Sequence, residues 1–207
     1  MKYIFVAGAP GSKWSSVVKN IYYSADIDRS DYSDARTYHH DASGKLDLMH
    51  LGAYFDPGME FGTGFDKLST YKKEMLEAEF DRPFRGTGTR IIKSHCFSTQ
   101  IETLKAYWPE APIVLVHRSD DACLGWWVKC GHFDITYPLY DQYYKDLKTM
   151  SSIIQQQNAG ILEAWWKYNT RSVLEDNLQL ARALGIEAPP DEYQQNYVTS
   201  DIRVKVI

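Results

Sequence analysis

Two kinds of stretch alternate along this chain. Residues 3–7 form a short, unbroken apolar run that ends in Gly8-Ala9-Pro10-Gly11. A run of that length, closed by turn residues, predicts a buried strand entering a tight loop. From Trp14 to Ser24 the period changes, and Val17, Val18, Ile21 and Tyr22 fall on one helical face. Residues 89–94 and 112–117 predict two further buried strands, the second of them the clearest. Helices are predicted over residues 66–80, with Lys72, Lys73, Glu74, Glu77 and Glu79 outside, and over 98–107, capped by Ser98 or Thr99. Further helices are predicted over residues 119–129, over 140–168 with a break near Gly160, and over 173–184. Gly185 is placed to cap the last of these, and Pro189-Pro190 stops any continuation. Residues 202–207 alternate and predict an edge strand or a tail.

Residues 25–66 have little periodicity and are rich in Asp, Ser, Gly, Tyr and His. So long an irregular stretch inside one domain is usually functional. It predicts a loop region over the site, with one short helix at most. Strands alternating with helices imply an α/β fold with a central parallel sheet covered on both faces. Ligands of such sheets bind at the carboxyl ends of the strands. Three segments fall at those ends here: 8–16, 93–95 and 117–121.

The 207 residues suit a single domain, and 44% hydrophobic residues are enough to bury a core. A net charge of −4 argues against a general polyanion binder, so no nucleic-acid partner is expected, although a local phosphate site is compatible with it. Three cysteines, Cys96, Cys123 and Cys130, are an odd, low count that fits a reducing compartment. Cys123, Cys130 and His132 are too few and too widely spaced for a zinc site, and no metal is expected. No run of eighteen apolar residues and no signal peptide is visible, so the expected location is cytoplasmic, without membrane insertion. Many of the aromatics fall between Trp126 and Tyr168, where they either fill the core or line a pocket.

The first loop, Gly8-Ala9-Pro10-Gly11-Ser12-Lys13-Trp14-Ser15-Ser16, follows a predicted strand and opens a predicted helix. Glycines let backbone N–H groups converge on an anion, and the helix N-terminus adds partial positive charge. Lys13 adds a full charge, and Ser12, Ser15 and Ser16 add hydroxyls. The loop is not a Walker A motif, because Ser12 precedes the lysine and Trp14 follows it, which removes the Mg²⁺-binding hydroxyl.

In Ile91-Ile92-Lys93-Ser94-His95-Cys96, a lysine and a histidine stand two apart at a strand end, and alternation predicts that both side chains lie on the same side. A near-neutral imidazole can take a proton from an attacking hydroxyl, and a lysine can offset charge growing on a leaving phosphate oxygen. This segment resembles the [RK]-x-x-K-[TS]-H segment of the sulfotransferases that use 3′-phosphoadenosine-5′-phosphosulfate (PAPS). The resemblance implies that Lys93 contacts the sulfuryl-bearing phosphate and that His95 is the catalytic base.

The first loop resembles the same family's 5′-phosphosulfate loop, P-K-S-G-T-T-W. Pro10 and Ser12 match it, and Ser15 falls on a threonine. Gly11 takes the lysine position, Lys13 the glycine position, and Trp14 replaces the other threonine. Residues 113–127 resemble the 3′-phosphate segment, R-[ND]-P-x-D-x-x-x-S after a strand. Arg118 falls on the arginine whose planar fork grips phosphate oxygens in pairs. Asp121 matches the aspartate if one residue is deleted, the serine falls on Gly125, and Ser119 is a candidate substitute. Alternatively, Arg118 pairs with Asp120 or Asp121 at a helix start. The G-x-x-G-x-x-K segment near the end of such enzymes is missing. Trp14 and Tyr168 are candidates for stacking on adenine or for core packing.

The resemblance implies a P-loop NTPase-like sulfotransferase architecture. The implied activity moves a sulfuryl group from PAPS to a hydroxyl or amine of a small-molecule acceptor and leaves PAP, without a metal. Lys93 and His95 would do the chemistry. Pro10, Gly11, Ser12, Lys13, Trp14, Ser15, Arg118 and Ser119 would hold the nucleotide. The alternatives are a P-loop kinase and a non-catalytic nucleotide-binding protein on the same scaffold. The acceptor site is expected within residues 32–65, with His39, His40 and His50, and among the aromatics of 126–144.

Overall fold

Tyr3–Gly8, the apolar run at the start of the chain, forms β1 and is buried along its whole length. The computed structural model describes residues 1–31, 51–56, 62, 65–129, 145–169, 177–193 and 201–207. β1 lies between two parallel partners, β3 (Arg90–Lys93) and β4 (Ile113–His117). β2 (Ala53–Tyr54) adds a parallel edge beside β3, and β5 (Arg203–Val206) adds an antiparallel edge beside β4. The result is a mostly parallel five-stranded sheet in the order β2-β3-β1-β4-β5, flanked by helices.

Central strands with covered faces need apolar residues on both sides, which is why β1 and β4 read as continuous runs rather than alternating ones. Ile4, Val6, Val114 and Val116 face one core, while Tyr3, Phe5, Ala7, Ile113 and Leu115 face the other. The first core takes α1 (Trp14–Tyr22), α4 (Asp120–Lys129) and α6 (Asn177–Leu184). The second takes α2 (Lys73–Asp81) and α3 (Ile101–Tyr107). In the second core, Phe5, Phe80, Phe97 and Trp108 meet edge to face or tilted, with centroids such as Phe5–Trp108 5.1 Å apart. The long helix α5 (Leu147–Lys167) serves both cores, with Met150 and Ile154 in the first and Ile161, Ala164 and Trp165 in the second.

The faces locate the site. The helix after β1 covers one face, and the helix after its neighbour β3 covers the other. The carboxyl ends of β1 and β3 therefore flank the topological switch point, the place at which such sheets take ligands.

Several expectations need correction. Residues 66–80 are not one helix: a kinked 3₁₀ segment, Phe65–Thr70, precedes α2, with Lys67 outside helical geometry. The segment 98–107 divides likewise, into a 3₁₀ turn, His95–Thr99, and α3. Ser94 caps that turn by accepting from the Cys96 N–H at 3.1 Å, in place of Ser98 or Thr99. α5 runs through Gly160 without a break. A Cβ at Gly160 would stand 2.2 Å from the Ser98 carbonyl oxygen, so the glycine serves close helix-to-turn packing. β2 falls within the stretch read as irregular, because two residues are too few to show a period. The Gly185 cap is present, with φ 65° and the Ile186 N–H donating to Ala181 O at 3.1 Å. Residues 140–144 and 173–176 lie outside the described residues.

Candidate functional site

β1 ends at Gly8, and the chain turns back so sharply that a Cβ there would lie 2.6 Å from Ser12 Oγ. Gly11 has φ 80°, and a Cβ on it would lie 2.0 Å from the Cys123 carbonyl oxygen of α4. Lys13 completes the turn in the left-handed region, with φ 61° and ψ 27°, as the residue before α1. The Ser12 N–H donates to Ala9 O at 3.0 Å, and the Ser16 N–H to Lys13 O at 2.9 Å. Pro10 is buried in the bend. Ser12 is fully buried, and its hydroxyl has no hydrogen-bond partner among the described residues. An orphaned hydroxyl inside a tight loop at a helix start fits an oxyanion ligand. Ser15 stands in the first turn of α1.

Two loop carbonyls are taken by predicted site residues. His95 Nδ1 hydrogen-bonds the Gly8 carbonyl. The ring lies under Trp14, with centroids 4.0 Å apart and planes at 24°, and Tyr54 meets it edge on at 5.5 Å. A carbonyl oxygen only accepts, so Nδ1 carries the proton and Nε2 of the neutral ring keeps its lone pair. Burial holds the imidazole below its ordinary value and the nearby Lys93 adds to this, while Asp56 and the Gly8 carbonyl act in the other direction. His95 is therefore neutral at pH 7, with Nε2 as its basic atom.

Lys93, the last residue of β3, is fully buried and donates to the Leu51 carbonyl. Its ammonium lies 5.7 Å from the Trp14 ring and 5.9 Å from the Tyr54 ring. Lys93 and His95 thus meet around the same two aromatics, as expected, but for a different reason: the strand stops at Lys93, and a 3₁₀ turn carries His95. Burial pushes the Lys93 amine down from 10.5 to about 7, against Asp31 and Asp56, which raise it.

That depression links folding to pH. The unfolded chain, with an ordinary amine, binds more protons at this group than the folded chain above pH 7, so stability rises with pH up to about 9, where the buried Cys123 thiol, pushed up from 9.0 to about 12, begins to offset it. The slope is at most about 1.4 kcal/mol per pH unit. Above the ordinary tyrosine value of 10.0 the trend reverses, because burial holds Tyr3 and Tyr22 protonated only in the folded state. Lys93→Met is expected to flatten the rise. Urea unfolding at pH 7, 8 and 9 checks this, and equal slopes for wild type and variant would contradict the burial of Lys93.

Arg118 takes a second place. Its Nε donates to Asp201 at 2.6 Å and its guanidinium to Gly11 O at 3.1 Å. The pairing with Asp120 or Asp121 is not made: Asp120 instead accepts from Asn158 at 2.6 Å. Lys13 lies 4.4 Å from the Trp126 ring, where Arg118 at 5.9 Å and Lys129 at 5.5 Å also gather. Ser119 is exposed, and its carbonyl accepts from Cys123 N at 2.9 Å in the opening turn of α4. The site residues therefore fall into two groups joined by the loop. Lys93, His95 and Trp14 lie on the β3 side, and Lys13 and Arg118 on the β4 side. Trp14 is packed on His95 and Tyr54, while the Tyr168 hydroxyl donates to Glu102 at 3.1 Å.

Sequence reading missed Asp31, Asp56 and Asp201, and it placed Tyr54 and Trp126 only within stretches expected to frame the acceptor site. Asp31, Tyr54 and Asp56 lie in the irregular stretch, where no period marks a buried position. His39, His40, His50 and residues 130–144 lie outside the described residues. Among the described residues, no three His, Cys, Asp or Glu side chains gather to hold a metal ion, and no helix is long and apolar enough to cross a membrane. No family model, curated protein or solved structure matches the chain.

Proposed function

We propose that this protein is a sulfotransferase of P-loop NTPase-like architecture that moves a sulfuryl group from PAPS to a hydroxyl or amine of a small-molecule acceptor. The observation that carries the reading is the tautomer of His95: the Gly8 carbonyl fixes the proton on Nδ1, which leaves Nε2 as a base beside Lys93 at the switch point. His95 Nε2 accepts the acceptor's proton as the new bond to sulfur forms. The sulfur–oxygen bond to the phosphate breaks, and the extra negative charge of departing PAP is met by the Lys93 ammonium. Ser12 and the start of α1 serve the 5′-phosphate. Arg118 and Lys13, both beside Trp126, supply positive charge for the 3′-phosphate. The kinase reading is weaker, because Trp14 stands where a Mg²⁺-binding hydroxyl would be needed and packs on His95 instead.

Ligand-induced stabilisation tests the proposal. PAP at a hundredfold over its Kd is expected to stabilise the fold by about 2.7 kcal/mol, and ATP with Mg²⁺ to do little. Stabilisation by ATP·Mg²⁺ alone would replace the proposal with a kinase. PAP binding without transfer to any acceptor would leave a non-catalytic binder.

A further inference from the structure

We propose that Asp56 is a positioning residue for His95, tying down the residues on either side of the imidazole and placing a fixed negative charge beside the His95–Lys93 pair. Asp56 follows β2, and the Phe55 N–H donates to Lys93 O at 2.8 Å, which sets Asp56 against the end of β3. One carboxylate oxygen, Oδ1, accepts from the Ser94 hydroxyl at 2.6 Å and from the Cys96 N–H at 3.3 Å. Ser94 and Cys96 are the neighbours of His95 in the chain. A carboxylate on the adjacent segment thus holds both ends of the single residue that carries the ring, while Gly8 O holds the ring itself.

The carboxylate is fully buried, and its other oxygen, Oδ2, has no hydrogen-bond partner among the described residues. An isolated buried charge of this kind is costly unless cations nearby draw on it. Lys93 and His95 both do, since Asp56 raises the proton affinity of each against the effect of burial. Among the described residues, the groups facing this pair besides Asp56 are Trp14 from α1, Tyr54 from β2, the Gly8 carbonyl from β1, the Leu51 carbonyl, which accepts from Lys93, and Asp31, whose carboxylate accepts from the Tyr22 hydroxyl at 3.3 Å and acts on Lys93. Beside these, Asp56 is the one group that both fixes the turn and bears charge on both members of the pair. The inference rests on the reading of His95 as a base.

Two NMR readouts on the whole chain test it: the tautomer of His95 from its ring ¹⁵N shifts, and the titration midpoint of the Lys93 amine. Asp56→Asn keeps the shape and an acceptor for Ser94 but removes the charge. It is expected to lower the Lys93 midpoint by about one unit while the Nδ1–H tautomer persists. Asp56→Ala removes both and is expected to lower the midpoint and to spread His95 over two tautomers. A fixed midpoint in both variants, or a single Nδ1–H tautomer in Asp56→Ala, overturns the inference. Should Asp56→Ala fail to fold, Ser94→Ala removes one tie and keeps the charge: mixed tautomers with an unmoved midpoint are expected, and a single tautomer overturns the positioning role. Neither readout uses PAP, so a chain that ignores PAP yet shows both shifts loses the proposed function and keeps this inference.

Discussion

Replacing His95 by glutamine is expected to slow sulfuryl transfer by about 10²–10⁴-fold, the range for losing a general base. Glutamine keeps an N–H that can reach toward Gly8 O and a flat group under Trp14, so the fold and PAP binding should persist while the basic Nε2 is gone. Alanine would be a poorer test, because it also leaves a void beneath the indole. Product formation from PAPS across a panel of alcohols and amines is the measurement. A variant within threefold of wild type would remove His95 from the chemistry.

The pH profile of the wild type is expected to carry the signature of the same assignment. Transfer needs neutral His95 and charged Lys93. Burial lowers His95 below its ordinary 6.5, so the acid limb of kcat/KM should fall below that pH. Lys93, at about 7 in the free protein, sets the alkaline limb. In the complex the anionic ligand favours the ammonium, so the alkaline limb of kcat should lie higher than that of kcat/KM.

The second large effect is on the loop itself. Gly11→Ala is expected to destabilise the protein by about 3 kcal/mol or more, combining a side chain at φ 80° with a clash against backbone. The atom struck is the Cys123 carbonyl oxygen, 2.0 Å from the new Cβ, and it cannot swing away as a side chain can. Relief requires the loop to part from α4, and with it the hydrogen bond from Arg118 to Gly11 O. For a chain of this size the loss corresponds to about 6–12 °C in Tm. Gly125→Ala is the matched control: it lies within α4, a Cβ there meets nothing within 4 Å, and replacing a helical glycine should gain up to about 1 kcal/mol. Calorimetry of both variants decides the matter. Equal melting temperatures would show that the loop does not rest on α4 as described.

The parts of the site that were legible in the sequence are those carried by strong local patterns. Lys93 and His95 were visible because a short strand-like segment, with Ile91-Ile92 at its centre, ends at the lysine. The first loop was visible because glycines punctuate the passage from strand to helix. Asp56 left no such trace. It is fully buried in a stretch whose composition reads as solvated, and its role comes from a hydrogen bond to Ser94 across 38 positions of chain. Asp201 is similar: it meets Arg118 only because β5 folds back along β4 as an antiparallel edge. Gly160 was misread for the same reason. A glycine inside a helical pattern looks like a break until the Ser98 carbonyl is found against it.

Taken alone, the order of apolar runs and turn residues determined an α/β fold with a central parallel sheet and placed three chemically useful segments at strand ends, because burial on both faces imposes continuous apolar strands and glycine-rich exits. Only the tertiary structure decided how those segments divide: His95 and Lys93 against Trp14 and Tyr54, and Lys13 and Arg118 around Trp126. The tautomer of His95 was likewise decided there, through one carbonyl 87 residues away in the chain. The physical reason is that periodicity records which side of an element is buried, whereas the partner a buried polar group finds depends on which distant backbone the sheet order brings beside it.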